Sequence, residues 1–208
     1  MKLIIPAAVL ALAAGPTLAQ DYGVGVGVST LGLTVTPQVR LDDRFGLRAP
    51  IGAFSASRSE DFEGNPFDGT LRLGGLGLLG DYHLPVGGLR VSAGAFASNY
   101  RVTGRTSGEV DLGGTIFDAE VDARITTRRR ISPMLVVGAD FGGARGWSVS
   151  TDIGVIFTRM RGRFSGTQTG GDQDLFDREL QAYEDRLNED LRDLSVLPFL
   201  SLAVTYRF

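Results

Sequence analysis

Arg40, Arg48, Asp81, Arg90, Asp140, Asp152 and Arg207 are the residues whose chemistry most needs a structural explanation. Each stands on the polar side of a segment whose other side carries Val, Leu, Ile or an aromatic. Four guanidiniums and three carboxylates gathered in one interior have two uses. They ion-pair and close the space, or they line a path that selects a charged solute by its field. The first use is demanding, because a charge left unmatched in a tight, dry interior costs several kcal/mol. Other chemistry is poorly supplied. A serine hydrolase needs a base beside its nucleophile, and the one histidine, His83, falls at a turn next to Pro85. One histidine and no cysteine leave no metal cluster and no thiolate site. The glycines from Gly23 to Gly27 resemble a phosphate loop, but no helix follows them as nucleotide binding requires. No catalytic group and no cofactor is expected.

The elements that position these charges are read from alternation. Tyr22, Val24, Val26 and Val28 alternate with Gly23, Gly25 and Gly27; Leu33, Val35, Pro37, Val39 and Leu41 alternate with Thr34, Thr36, Gln38 and Arg40. Period-two patterning of this kind makes strands with one apolar face. Six further segments follow: Phe45 to Ala53, Thr70 to His83, Leu89 to Val102, Arg128 to Phe141, Trp147 to Arg163, and Leu197 to Phe208. In the fourth strand Gly74-Gly75 is a candidate bulge that would switch the faces. The closing strand sets Leu200, Leu202, Val204, Tyr206 and Phe208 against Ser201, Ala203, Thr205 and Arg207. Its aromatic end, Tyr206 and Phe208, is the expected mark for barrel-assembly machinery.

The predicted fold class is therefore all-β: an eight-stranded antiparallel transmembrane barrel whose apolar faces meet lipid. Even strand number and termini on the periplasmic side make the links at Asp42 to Arg44, Leu84 to Gly88 and Gly142 to Gly146 periplasmic, and all three are short. The links at Ser59 to Gly69, Thr103 to Thr127 and Phe164 to Ser195 then lie outside, and all are long. The first external link, Thr30-Leu31-Gly32, is either a very tight hairpin or part of one bent strand from Tyr22 to Leu41; parity favours the hairpin.

Composition agrees with export to an envelope. Lys2 precedes a small and apolar run from Leu3 to Ala14, then Thr17-Leu18-Ala19, so residues 1–19 read as a signal peptide cleaved after Ala19, and 20–208 as one barrel domain. That run is too short to span a bilayer about 30 Å thick as a helix. The formal charge of -3 gives no attraction for nucleic acid. Outer-membrane lipid and lipopolysaccharide are the expected surroundings.

Leu175, Phe176, Leu180, Tyr183, Leu187, Leu191 and Leu194 recur every three or four residues, which predicts an amphipathic helix over 172–194 capped by Asp172 or Asp174. From Asp172 to Asp193 the chain carries nine acids and three arginines. Either this helix packs on the barrel rim with its charges solvated, or Glu184 and Asp185 mark an acidic entrance for cationic solutes. Arg128-Arg129-Arg130, where a strand leaves the external side, reads equally as a solvated loop or as a contact for lipopolysaccharide phosphates.

Gly88-Leu89-Arg90-Val91-Ser92-Ala93-Gly94, Ile131-Ser132-Pro133 with Gly138, Trp147 with Asp152-Ile153-Gly154-Val155, the acidic helix before Pro198, and the Tyr206-Arg207-Phe208 end together resemble a family of eight-stranded outer-membrane barrels. It is the family of the carbapenem-resistance-associated outer-membrane protein. The resemblance implies the same barrel and a channel proposed to admit ornithine and other basic amino acids. It carries over no functional residues. Met134 and Val136 depart from the family, whose members tend to carry Tyr and Gly there. Two functions remain open: a narrow or gated pore or binding protein for small, possibly cationic solutes, and a closed barrel serving envelope integrity or surface contact.

Overall fold

The computed structural model describes residues 21–62, 65–112, 114–143, 145–193 and 195–208. The signal peptide, its cleavage after Ala19, and Leu194 lie outside the described residues.

Twelve strands and one helix follow in order: β1 (Asp21–Ser29), β2 (Gly32–Arg40), β3 (Phe45–Arg48), β4 (Ile51–Phe62), β5 (Asn65–His83), β6 (Leu89–Ser98), β7 (Arg101–Leu112), β8 (Thr115–Thr127), β9 (Ile131–Gly142), β10 (Gly146–Ile156), β11 (Met160–Gln168), α1 (Gln173–Asp193) and β12 (Leu197–Arg207). Strands β3 and β4 are one stave interrupted at Ala49-Pro50. The ladder runs through the break, with Ala49 N–H donating to Pro37 O (2.9 Å) and Gly77 N–H to Pro50 O (2.8 Å). The barrel is then β1, β2, β3/β4, β5, β6, β9, β10 and β12, each antiparallel to its neighbours, and β12 pairs back to β1. Closure leaves no strand edge in the membrane, where an unpaired backbone amide costs several kcal/mol.

Thr30-Leu31 is a two-residue hairpin, since Ser29 faces Gly32 across the ladder. Gly32 takes φ +96°, a conformation that side-chain-bearing residues rarely adopt. The bent-strand alternative is thereby removed. Gly74-Gly75 hosts no bulge: the β4–β5 register passes from Ile51 opposite Leu76 to Phe54 opposite Leu73 without an extra residue. At the periplasmic turn, Asp42 Oδ1 accepts from the amides of Arg44 and Phe45, both at 2.7 Å. Those two bonds hold its carboxyl below the usual aspartate value.

Outside, the alternation produces an apolar belt. Val24, Val26, Val28, Leu33 and Val35 on the first hairpin, Leu200, Leu202 and Val204 on β12, and Val137 and Ile153 further round are all exposed. A belt of this extent is intolerable in water and suits lipid. Below it lies an aromatic girdle. Trp147 packs on Tyr206 (4.9 Å), Tyr206 on Phe208 (5.2 Å), and Phe45 on Tyr82 (5.4 Å). No helix among the described residues is long and apolar enough to cross a membrane. The strands do the crossing.

The long external links are not loops, as expected from sequence, but mostly a sheet. Strands β4 and β5 continue pairing to Phe62 opposite Asn65, and Thr103 to Thr127 folds into the β7–β8 hairpin. Strand β11 adds to β8 as far as Gln168 opposite Ala119. The order β4-β5-β7-β8-β11 therefore stands above the barrel as an open five-stranded sheet.

Val26 lies mid-belt between Val204 and Val35. Val26→Arg should lower folding stability in lipid vesicles by about 2–4 kcal/mol, measured by denaturant titration. An unchanged midpoint would mean that this face does not meet the hydrocarbon.

Candidate functional site: a sealed lumen and its external cover

The inward side chains of the periplasmic half form one chain of ion pairs that crosses the lumen, from β5 and β3/β4 to β10 on the opposite wall and on through β6 and β9 to β12. Asp81 Oδ1 accepts from Arg48 Nε (2.9 Å), and Arg48 Nη1 donates to Asp152 Oδ2 (2.8 Å). Asp152 Oδ1 accepts from Arg90 Nη2 (2.8 Å), Arg90 Nη1 reaches Asp140 Oδ1, and Asp140 Oδ2 accepts from Arg207 Nη2 (2.6 Å). Three arginines and three aspartates alternate across six staves, so the buried charges cancel. Hydroxyls fill two further valences, while Arg90 Nε is buried without a partner among the described residues: Arg48 Nη2 donates to Ser92 Oγ (3.0 Å), and Ser150 Oγ donates to Asp140 Oδ1 (2.7 Å). Every charged member is at most 9 % exposed at its side chain.

Asp152 and Arg90 meet because Gly138 lies between them. A methyl group there would touch Asp152 Oδ1 and come within 3.0 Å of Arg90 Nη2. This is a physical reason for the Gly138 noted in the sequence.

Above the charges sits an apolar layer. Leu31, Leu79, Phe96, Tyr100, Met134, Val136, Ile156 and Phe199 pack as one buried cluster inside the outer half of the barrel. Met134 and Val136, at 0 % and 2 % exposed, belong to it. An eight-stranded barrel is just wide enough for its side chains to fill.

Arg40 stands apart from the chain of ion pairs. It is half-buried at the periplasmic mouth, beside a cavity of about 20 Å³ that His83, Asp81 and Arg207 also line, and no ion pair joins it among the described residues. His83 Nδ1 lies 3.3 Å from Arg44 O at the same end.

Helix α1 covers the free edge of β11. Asn188 Oδ1 accepts from Gly162 N–H (3.0 Å), Glu184 Oε2 from Phe164 N–H (2.9 Å), and Gln173 Oε1 from Gln168 N–H (3.0 Å). Its apolar side inserts Phe176 and Leu180 among Leu112, Phe117, Ala119 and Val121. Asp172 caps it, accepting from the amides of Asp174 and Leu175. Glu184 therefore holds a strand edge, while Asp185 is exposed. Sequence periodicity finds the helix; that its polar residues satisfy a sheet edge requires knowing where β11 ends. The alternation in Phe117-Asp118-Ala119-Glu120-Val121-Asp122-Ala123 was the available sign that this region is strand.

Tyr206 and Phe208 lie on the girdle at the β1–β12 seam, where Phe208 N–H donates to Tyr22 O (2.9 Å). Arg128, Arg129 and Arg130 are exposed between β8 and β9.

Belt, girdle, closed ladder and filled lumen define the class: this is the fold of an eight-stranded outer-membrane β-barrel. No protein-family model matches the chain, and no curated protein matches its sequence. Among solved structures it is similar to CarO of Acinetobacter baumannii (17% identity, TM-score 0.57, covering 89% of this chain and 97% of that one). It is also similar to CarO2 of the same organism (18% identity, TM-score 0.61, 90% and 98%). The barrel that the sequence motifs imply is thus the barrel found.

Asp152→Asn leaves three buried arginines facing two carboxylates and should cost about 3–5 kcal/mol in denaturant unfolding, with Gly138→Ala also destabilising because it parts the same pair. Wild-type stability in both variants would show that the network is not load-sharing. Deleting residues 172–193 should leave the barrel folded and heat-modifiable on a gel, because α1 packs on the external sheet alone; loss of membrane assembly would contradict this.

Proposed function

We propose that the protein is a closed barrel of the bacterial outer membrane that acts through its external sheet and helix, in envelope integrity or surface contact, rather than by transport through its lumen. The observation that carries this reading is the neutral ion-pair chain lying beneath a separate apolar layer. A charged solute would have to break the first and dehydrate through the second. Export by the N-terminal signal, recognition of Tyr206 and Phe208 by barrel-assembly machinery, and contact with lipopolysaccharide belong to the same reading.

The gated pore for ornithine-like cations, implied by the family resemblance, draws less support. The buried charges are balanced rather than acidic. Met134 and Val136, where this chain departs from that family, both thicken the apolar layer. Glu184 is engaged with Phe164, and Asp185 alone does not make an acidic mouth.

Liposome swelling is the test. Rates in ornithine, arginine, glutamate and a neutral sugar should all equal those of protein-free liposomes; faster swelling in the cationic solutes would restore the pore. Because there are two barriers, Asp152→Asn alone and Phe96→Ala alone should stay tight while the combined variant leaks arginine. Leakage from Asp152→Asn alone would mean that the charges are the sole barrier.

A further inference from the structure

The strands that rise from the barrel keep their parity, so the outer face of the external sheet continues the lipid-facing belt. On β5 the outward positions pass from Leu78 and Leu76 to Arg72 and Thr70. Across that face the register sets Arg72 opposite Arg101, Arg101 opposite Thr126, and Thr126 opposite Arg161. The next row is Thr70, Thr103, Arg124 and Arg163, again directly opposed. Carboxylates enter only in the third row, where Arg105 pairs with Asp122 (2.8 Å). Arg72, Arg101, Arg124, Arg161 and Arg163 are all exposed, and no ion pair joins any of them among the described residues.

Arg72 beside Arg101, and Arg124 beside Arg163, are like charges on adjacent strands about 4.8 Å apart, an arrangement that destabilises a sheet. Within these two rows no carboxylate offsets it; the nearest on this face, Asp68 and Asp122, belong to the third row. Rows one and two lie roughly 13 to 20 Å along β5 from Leu76, at about 3.3 Å per residue, which on a tilted strand is the depth of the headgroup layer. The face is concave there, with a hollow of about 720 Å³ bordered on one side by Thr70, Thr103, Arg124 and Arg163 and on the other by Arg105 with Asp68 and Asp122.

The geometry points to a binding surface for the phosphates of the outer leaflet's glycolipid, formed by Arg72, Arg101, Arg124, Arg161 and Arg163. It rests on the outer-membrane reading, which sets the face at that leaflet, and assigns residues to the lipopolysaccharide contact. Guanidiniums pair with phosphate bidentately, and the three threonines supply hydroxyls between them. Lipid phosphates seated among rows about 7 Å apart offset the repulsion between these guanidiniums. The exposed Arg128-Arg129-Arg130 turn adjoins the lower row and extends the same positive field.

The test uses the full barrel refolded into phosphatidylcholine vesicles, with insertion checked by heat-modifiable migration. Bisphosphorylated lipid A should raise the urea midpoint by about 1 M, an increase that falls with added salt, and lipid A stripped of phosphate should not. Inorganic phosphate at equal concentration should not reproduce it, because it lacks the acyl chains that concentrate the lipid's phosphates at this face. Arg72→Gln/Arg101→Gln/Arg124→Gln/Arg163→Gln should be at least as stable as wild type in phosphatidylcholine and lose the lipid A increment. Arg178→Gln/Arg186→Gln on α1 should keep it. An equal increment with dephosphorylated lipid, or its retention in the quadruple variant, overturns the surface while leaving the barrel reading intact; failure to insert in any vesicle overturns both.

Discussion

A lumen eight strands wide has room for side chains and little else, and this constraint governs the rest of the molecule. Charges turned into it have no water to fall back on, so they must neutralise one another in place. The alternating order from Asp81 to Arg207 is the solution found here: each interior member has a partner on both sides, and each lies on a different stave. The ion pairs therefore tie together strands that are far apart in sequence. Gly138 and the serines exist to let them meet.

Closure solves the edge problem within the membrane and reopens it above. Above the membrane the order β4-β5-β7-β8-β11 is open, and β11 forms one of its two free edges. Helix α1 supplies side-chain acceptors to alternate residues of that edge and buries Phe176 and Leu180 against β7 and β8. The acidic helix is thus explained by backbone satisfaction, with its surplus carboxylates solvated. The same sheet is amphipathic in the sense opposite to the barrel below it. Its inner face continues as Leu71, Val102 and Ile125, while its outer face turns from valine and leucine to arginine as it leaves the hydrocarbon.

Alternation was legible wherever lipid imposed it. All eight staves, the short periplasmic turns, the Thr30-Leu31 hairpin and the facing of every stave but the fourth can be read from period two and parity, since a one-residue slip would put Val26 in the lumen and Gly25 in lipid; the facing of the fourth, with its candidate bulge at Gly74-Gly75, needed the register. The helix and its Asp172 cap were legible for a similar reason. What stayed hidden depends on three dimensions. The inward charges could be assembled as a set, but not as an ordered chain, and Arg40 belongs to the mouth rather than the network. The apolar layer is drawn one or two residues at a time from seven places, so no segment announces it. The external sheet reads as loops in the sequence because its strands carry arginine and aspartate outward, where a belt would carry leucine.

Single-molecule current recording across a planar lipid bilayer tests the sealed lumen most directly. Wild-type protein inserted in arginine or potassium chloride should show no steps above the bare membrane at moderate voltage. Stable, reproducible steps from the unmodified chain would mean that the two layers part, and that the lumen is a channel after all.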